Sequence, residues 1–209
     1  MNEDTIRYIS EIVKPWEHLN LQLASPLSMN PNVNDFITNA NSLAVTIKHF
    51  PESILKIKPE NLVKQSKSYE IISDLADSSK HGELRKRERE CKLSVSSMFE
   101  RNSEAKVRFL RNKITIIHNG YGKIDFMECA MESALFLSHK LEEWNDWTPK
   151  TYNNSGEFSN EIKVHASQKN QILWTGMQLE FVQLNEFGKY ENVDLNGQVL
   201  FTLTSEFSK

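Results

Sequence analysis

Arg111, Asn112, His118 and Tyr121 are the residues whose types and spacing could carry out a reaction. An arginine can stabilise the negative charge that develops on a phosphorane, and a histidine can move a proton near neutral pH. A tyrosine hydroxyl would add a further hydrogen bond beside them. The group therefore fits chemistry at phosphorus, provided that the intervening residues bring the arginine and the histidine to one place.

The order of these residues, an Arg-Asn pair followed by a histidine and a tyrosine, resembles the active-site motif of HEPN-type ribonucleases. The resemblance implies that Arg111 and His118 lie on one helix, usually in a dimer, and cleave RNA without a metal ion. The β-branched run at residues 114–117, followed by Asn119-Gly120, instead favours a strand and a turn. On a strand, positions 111 and 118 would face opposite sides. The ribonuclease is therefore the alternative hypothesis.

Lys80 and His81 form a second candidate, at the end of a predicted helix that Gly82 terminates. Cations at this end meet the negative end of the helix dipole, which favours a structural role. The run LADSSKH, which ends at His81, resembles a helix end of small uncharacterised prokaryotic proteins, and that resemblance implies no activity. In the functional interpretation, Lys80 and His81 belong to an anion or partner site.

A dense basic run, Arg85, Lys86, Arg87 and Arg89, follows this helix end. Residues 80–113 carry 11 basic and 5 acidic side chains, a net charge of +6, whereas residues 1–79 have a net charge of -3 and residues 114–209 one of -6. Such an island could contact phosphate, or it could pair with the acidic flanks of the same chain. The interleaved glutamates are typical of a solvated surface, and no stacking aromatics accompany the run.

Other classes of chemistry lack the residues that they need. The six histidines show no HxH or HExxH spacing, and Cys91 and Cys129 form no CxxC, so we predict buried thiols and no metal site. The sequence contains no GxSxG, GxGxxG or GxxxxGK[ST] motif, so we predict no cofactor. No apolar run approaches the roughly 18 to 20 residues that span a bilayer. We expect a cytoplasmic protein without membrane contact.

Apolar periodicity predicts helices in the first half of the chain and strands after Gly82. The predicted helices cover residues 6–19, 34–49, 59–80 and 126–143, and Asp125 begins the last of them. The first predicted strands cover residues 93–99, 107–110, 113–118 and 123–126, with a hairpin at Asn119-Gly120. Further strands are predicted over residues 158–165, 172–184, 190–195 and 198–204, with turns at 186–189 and 196–197.

We therefore predict an α+β protein with a helical N-terminal half, a small antiparallel sheet with a covering helix, and a C-terminal antiparallel β meander. The predicted domains are a helical domain over residues 1–145, with β hairpins inserted at about residues 91–126, and a β-strand subdomain over residues 158–209. Whether the two share one core is left open.

The leading functional hypothesis is a non-enzymatic binding or accessory protein of prokaryotic or phage origin that contacts an acidic or nucleic-acid partner. The predicted binding residues are Lys80, His81, Arg85, Lys86, Arg87 and Arg89. The alternatives are the HEPN-like ribonuclease and a protein-interaction module that pairs through an exposed β edge. Assembly into a homo-oligomer is left open.

Overall fold

The chain has an α+β fold, which confirms the predicted fold class. A computed structural model describes residues 2–26, 32–82, 84–141, 147–167, 178–195 and 200–206. Within these residues, helices make up the chain as far as His81, and strands predominate from Cys91 onward. None of the described helices has the length and apolar character that crossing a bilayer requires.

The N-terminal helical segment runs from Glu3 to Leu23 in three parts. These are α1 (Glu3–Tyr8), a π-helical turn (Ile9–Val13) and α2 (Lys14–Leu23). Asn2 begins the segment, because its side chain accepts a hydrogen bond from the backbone N–H of Thr5 at 2.9 Å. The π turn lies directly before Pro15, whose missing N–H leaves one carbonyl of the preceding turn without its helical donor.

The helical half continues with four more helical stretches: α3 (Asn32–Phe50), a π turn (Pro51–Leu55), α4 (Pro59–Leu62) and α5 (Lys67–His81). The prediction of one helix over residues 59–80 was wrong, because the chain turns after Leu62 and starts again at Ser66. The Ser66 side chain accepts a hydrogen bond from the backbone N–H of Tyr69 at 3.2 Å and so caps α5. Gly82, with φ of 72°, ends α5 as predicted.

After His81, the described residues form a short 3-10 helix (Arg87–Arg89), one long helix and seven strands. The long helix is α6 (Phe126–Ser138), and the Asp125 side chain caps it by accepting from the backbone N–H of Glu128 at 3.1 Å. The strands are β1 (Cys91–Arg101), β2 (Val107–His118), β3 (Gly122–Asp125), β4 (Glu161–Ser167), β5 (Gln178–Leu184), β6 (Tyr190–Asn192) and β7 (Leu200–Glu206).

Five of these strands form one sheet in the order β3-β2-β1-β5-β6, and β4 pairs with β7 in a second sheet. The hairpin predicted at Asn119-Gly120 is confirmed, since β2 and β3 are antiparallel with His118 opposite Gly122. The two strands predicted over residues 107–110 and 113–118 are the single strand β2.

The expected C-terminal antiparallel meander is corrected by the strand pairings. Among the described C-terminal strands, β5 and β6 pair antiparallel, whereas β5 is parallel to β1 and β4 is parallel to β7. Parallel partners need a long connection, and turn residues between consecutive strands carry no information about such distant pairings. The turn predicted at residues 196–197 lies outside the described residues.

Contacts divide the chain into two compact units. The first takes its described residues from Met1–Leu21, Phe36–Ser94 and Ile114–Thr151. In its core, the Tyr8 hydroxyl donates to the Ala134 carbonyl at 2.8 Å. Burial of these polar groups is tolerated because they are hydrogen-bonded. Ile114, Ile116 and His118, alternate residues at the end of β2, are buried, and His118 contacts Asp74 of α5.

The second unit takes its described residues from Gln22–Asp35, Val95–Lys113 and Tyr152–Lys209. Phe99 of β1 packs against two other rings, with centroid distances of 5.9 Å to Phe109 and 5.6 Å to Phe181. Such pairs stabilise neighbouring strands beyond the effect of burial alone. The boundary between the two domains proposed from the sequence stays a prediction.

The Tyr8→Phe substitution tests the buried hydrogen bond in the first unit. The free energy of unfolding should fall by about 1 kcal/mol, because the Ala134 carbonyl loses its phenol partner while the ring packing stays. Urea denaturation followed by circular dichroism measures the change. The control is Tyr152→Phe at an exposed position, where we expect a change within about 0.5 kcal/mol. Equal losses in the two variants would contradict the assignment.

Candidate functional site

The centre of the candidate site is the buried carboxylate of Asp74, on the inner face of α5. Its side chain is 2% exposed and therefore needs partners for its charge. Oδ1 accepts from the Arg89 guanidinium through Nε at 2.7 Å and also contacts Nη2. Oδ2 lies 3.3 Å from Nε2 of His118. Two side chains from outside the helix thus converge on one carboxylate.

Asp77, one turn further along α5, extends this charge network. Its carboxylate forms an ion pair with the Lys48 ammonium of α3 and lies 3.3 Å from Nη2 of Arg89. Arg89 therefore bridges two carboxylates, and its hydrogen bond to Asp74 is the main cause of its raised pKa. Arg89 was predicted to bind a partner; its side chain is 41% exposed, and its guanidinium is paired with these two carboxylates.

His118 uses both of its ring nitrogens within the protein. Nδ1 accepts hydrogen bonds from the backbone N–H groups of Gly120 at 3.0 Å and Tyr121 at 3.2 Å. An accepting Nδ1 carries no hydrogen, so the ring proton is on Nε2 and faces Asp74. A general base needs a nitrogen that can reach a substrate, and this imidazole, 2% exposed, presents none.

Residues 111–118 do not form the helix that the ribonuclease alternative expects. Residues 111–118 lie in β2, as the β-branched run predicted, whereas the family motif requires a helix. Arg111 is buried in the second unit, where its Nε donates to the Asn112 carbonyl at 3.2 Å. Asn112 is fully buried and accepts from the Ser97 hydroxyl at 2.7 Å.

Tyr121 lies beside His118 in the first unit, with ring centroids 4.7 Å apart. Its hydroxyl donates to Glu70 at 3.0 Å, and the pKa of Tyr121 is raised chiefly by this hydrogen bond. The ammonium of Lys67 lies over its ring, 4.5 Å from the centroid. The residues of the motif thus have structural partners: Arg111 contacts Asn112 in the second unit, and His118 contacts Tyr121 in the first.

Five predicted binding residues remain on the surface: Lys80, His81, Arg85, Lys86 and Arg87, which we call the basic cluster. All five are exposed. None of their side chains forms an ion pair or hydrogen bond with any residue that the structure describes. Glu83 lies outside the described residues. Four permanent charges and one titratable imidazole are therefore presented to solvent within eight positions of the chain.

The backbone that carries the arginines of the basic cluster is held in place. We call residues 84–90 the 84–90 loop. Its 3-10 turn is closed by a hydrogen bond from the Arg89 N–H to the Lys86 carbonyl at 3.0 Å. From the β2–β3 turn, the Asn119 side chain donates to the Arg87 carbonyl at 2.7 Å, and the Asn119 N–H donates to the Glu90 carbonyl at 3.0 Å. The loop is thus anchored at both its middle and its end.

Gly120 completes this anchor by its small size. A Cβ at this position would lie 3.0 Å from the Glu88 carbonyl oxygen, closer than side-chain carbons normally approach. The glycine of the predicted hairpin therefore serves a second purpose, since it lets the β2–β3 turn pack directly on the 84–90 loop.

Sequence reasoning missed the residues that build this anchor: Lys48, Asp74, Asp77 and Asn119. One signal was available, because Asp74 lies between the apolar residues Ile72 and Leu75 of α5, and Asp77 follows Ala76. Carboxylates on the buried side of a helix need cationic partners. The adjacent basic run was the nearest source of such a cation, although the sequence does not show which of its residues pairs with the carboxylates.

No protein-family model, curated protein or solved structure matches this chain. In the part of the chain that the structure describes, no group of three or more His, Cys, Asp or Glu side chains could hold a metal ion. The site must therefore be interpreted from its own geometry and charge.

Both cysteines carry free thiols, and Cys129 is buried while Cys91 is half-buried. Burial raises the pKa of each thiol to about 12. The Asp74 carboxylate adds to the increase at Cys91. Because the thiolate is the reactive form, neither cysteine is placed to act as a nucleophile near neutral pH.

The Arg89→Ala substitution tests the anchor. We expect the free energy of unfolding to fall by about 2 to 3 kcal/mol, since Asp74 would keep its buried charge but lose its only guanidinium partner among the described residues. The matched control is Arg87→Ala, two residues away, whose side chain has no partner in the described part of the chain and which should change stability by less than about 0.5 kcal/mol. Urea denaturation of both variants checks the difference, and similar values would show that Arg89 is not an anchor.

Thiol reactivity tests the environment of the cysteines. At pH 8 the thiolate fraction should be about a thousandfold lower in the folded protein than in the unfolded chain, because both pKa values are raised. The rate of reaction with a disulfide reagent, measured in native buffer and in about 8 M urea, gives this ratio. Folding stability should fall as the pH rises from about 9 to about 12, where only the unfolded chain ionises its thiols. Fast labelling of either thiol in native protein would contradict the assignment.

Proposed function

We propose that this chain is a non-enzymatic binding protein whose basic cluster contacts the phosphate groups of a nucleic acid. The observation that carries the proposal is the concentration of exposed cations that have no side-chain partner among the described residues, three of them on the anchored 84–90 loop. Arginine suits phosphate because its planar guanidinium can donate two parallel hydrogen bonds to one phosphate group. Lys80 and Lys86 add compact charges to the same surface.

The anchored backbone of the 84–90 loop supports this function because less conformational entropy is lost on binding. Ordering flexible side chains and loops on binding opposes association, by about 0.5 to 1.5 kcal/mol for each immobilised side chain. A loop whose backbone is already fixed by Asn119 and Arg89 avoids part of that cost. The arrangement therefore favours a partner that meets preformed cations, as a regular phosphate backbone does.

The residues that could have supported catalysis have other roles in this proposal. His118, Asp74 and Arg89 hold the loop, and Arg111 is buried in the second unit. Contacts to phosphate position a nucleic acid without reading its sequence. We accordingly expect broad binding to RNA and DNA with little sequence preference.

Charge reversal tests the proposal. The variant R85E/K86E/R87E should bind a 20-nucleotide RNA or DNA at least about tenfold more weakly at 50 mM salt. The slope of log K against log salt should become shallower by about 2 to 3, because the variant makes fewer phosphate contacts and therefore releases fewer counterions on binding. Fluorescence anisotropy from 50 to 200 mM salt measures both quantities. The substituted residues form no ion pair with any residue whose placement is described, so folding should be preserved.

The matched control is K14E/K58E/K64E, which changes the net charge equally at three exposed lysines elsewhere in the first unit. We expect its affinity to stay within about threefold of the parent at 50 mM salt. Equal loss in the two variants would show that net charge alone drives binding. Binding of the parent that does not weaken between 50 and 200 mM salt would exclude phosphate contacts. Preference for polyglutamate over nucleic acid would assign the basic cluster to an acidic protein partner.

A second candidate function is protein interaction through the β edge of the second unit. Strand β6 is the last strand of the five-stranded sheet, and Phe187 in the β5–β6 turn is 78% exposed. An edge strand can pair with an extended segment of another chain. In that case R85E/K86E/R87E would leave partner binding intact, whereas Phe187→Ser would weaken it.

A further inference from the structure

Tyr121 is an exposed aromatic residue on the turn that anchors the 84–90 loop. Its side chain is 41% exposed. It lies two residues after Asn119, which donates to the Arg87 carbonyl at 2.7 Å. It directly follows Gly120, where a Cβ would lie only 3.0 Å from a carbonyl oxygen of the loop. The sequence places no aromatic residue within the basic run, but the fold brings the turn that carries Tyr121 against the loop that carries Arg87.

We propose that the Tyr121 ring stacks on an unpaired base while the basic cluster binds phosphates of the same strand, so that the protein binds single-stranded nucleic acid in preference to a duplex. This inference rests on the proposed function, since the ring meets a base only where the phosphates are bound. A cationic surface beside an aromatic ring is how many proteins bind single strands without reading their sequence. In a duplex the bases are paired and stacked on one another, so they offer no free face to a protein ring.

The Tyr121 ring is held in place by two contacts within the first unit. Its hydroxyl donates to Glu70 of α5 at 3.0 Å. Its ring centroid lies 4.7 Å from that of His118, with the two ring planes inclined by 45°. Because His118 is buried, this contact lies on the side of the ring that faces the protein. A ring that is already oriented loses little conformational freedom when a base stacks on it.

Lys67 is the exposed neighbour of the Tyr121 ring. Its ammonium lies over the ring, 4.5 Å from the centroid, and its side chain is exposed. An exposed contact between a cation and an aromatic ring is weaker than the stacking of a base on such a ring. A base therefore displaces the flexible ammonium from the ring. The displaced Lys67 stays beside the strand and adds a cation for its phosphates.

Charge alone would give the opposite preference. A duplex carries one negative charge per about 1.7 Å of its axis, whereas each of its strands carries one per about 3.4 Å. A protein that bound only through its cations would therefore bind the duplex more tightly at low salt. Tighter binding of the single strand requires a contribution other than phosphate contacts, and in this proposal Tyr121 supplies it.

Three ligands test the proposal on the unmodified protein. They are a 20-nucleotide oligothymidylate, a strand of the same length with abasic spacers in place of all bases, and the oligothymidylate paired with its complement. Fluorescence anisotropy at 50 mM salt measures the three affinities. The oligothymidylate should bind at least about fivefold more tightly than the abasic strand, and more tightly than the duplex. Equal affinity for the oligothymidylate and the abasic strand, or tighter binding of the duplex, would overturn the proposal.

The Tyr121→Leu substitution removes the aromatic face and keeps an apolar side chain. It should weaken oligothymidylate binding at least about fivefold and leave the affinities for the abasic strand and the duplex within about twofold. The slope of log K against log salt should change by less than about 0.5, because no phosphate contact is lost. Tyr121→Phe keeps the ring and loses only the hydrogen bond to Glu70, so it should bind oligothymidylate within about threefold of the parent.

The matched control is Tyr152→Leu, at a tyrosine of the second unit that is 47% exposed. We expect it to leave all three affinities within about twofold of the parent. An equal loss for the three ligands in Tyr121→Leu would show that the substitution disturbs the loop, and it would overturn the stacking role. The same selective loss in Tyr152→Leu would also overturn it. If Tyr121→Leu does not fold, the comparison of oligothymidylate with the abasic strand on the unmodified protein still decides the question.

The stacking and the proposed function fail in distinguishable ways. Salt-dependent binding of the abasic strand and the duplex, with no gain in affinity from the bases of the oligothymidylate, would retain phosphate binding and reject the role of Tyr121. Failure to bind any of the three ligands would reject the proposed function, and the stacking with it.

Discussion

The first unit depends on the compensation of one buried charge, the carboxylate of Asp74. Leaving an ion of this kind unpaired in a protein interior costs several kcal/mol, so its partners are nearly obligatory. Arg89 and His118 supply them, from the segment before β1 and from the end of β2. This single requirement ties α5 to the segment that follows it and fixes the starting point of the sheet.

The same requirement for a cationic partner separates Arg89 from the other cations of the basic run. Arg89 is drawn inward by Asp74 and Asp77, whereas Arg85, Lys86 and Arg87 stay in solvent because no described carboxylate faces them. Composition alone treats these residues as equivalent. Their positions relative to α5 separate a cation that is paired within the protein from those that have no described partner, so a charge island on the sequence overstates the number of unpaired cations.

Local signals in the sequence were sufficient for much of the fold. Gly82, Asp125 and the Asn119-Gly120 turn act through their own backbone neighbourhood, and each lies where the sequence predicted. Predictions that required distant partners were incomplete. The parallel pairing of β5 with β1 joins segments far apart in the chain, and the break between α4 and α5 depends on the cap supplied by Ser66. Neither pairing nor packing is encoded in a short window of residues.

Arg111 and His118, which the sequence suggested as catalytic residues, show the same distinction between the type of a residue and its environment. Arg111 and His118 have side chains suited to chemistry at phosphorus, but reactivity needs a group that is reachable and in a suitable protonation state. The strand conformation of β2 places His118 at the buried end of an apolar row, where the backbone of its own turn occupies one nitrogen and Asp74 the other. A histidine fixed in this way loses the freedom to exchange protons with a substrate. Its hydrogen bonds hold the backbone of the turn, and Asn119 of that turn holds the loop that carries the arginines of the basic cluster. The residue type that most suggested catalysis therefore has a structural role here.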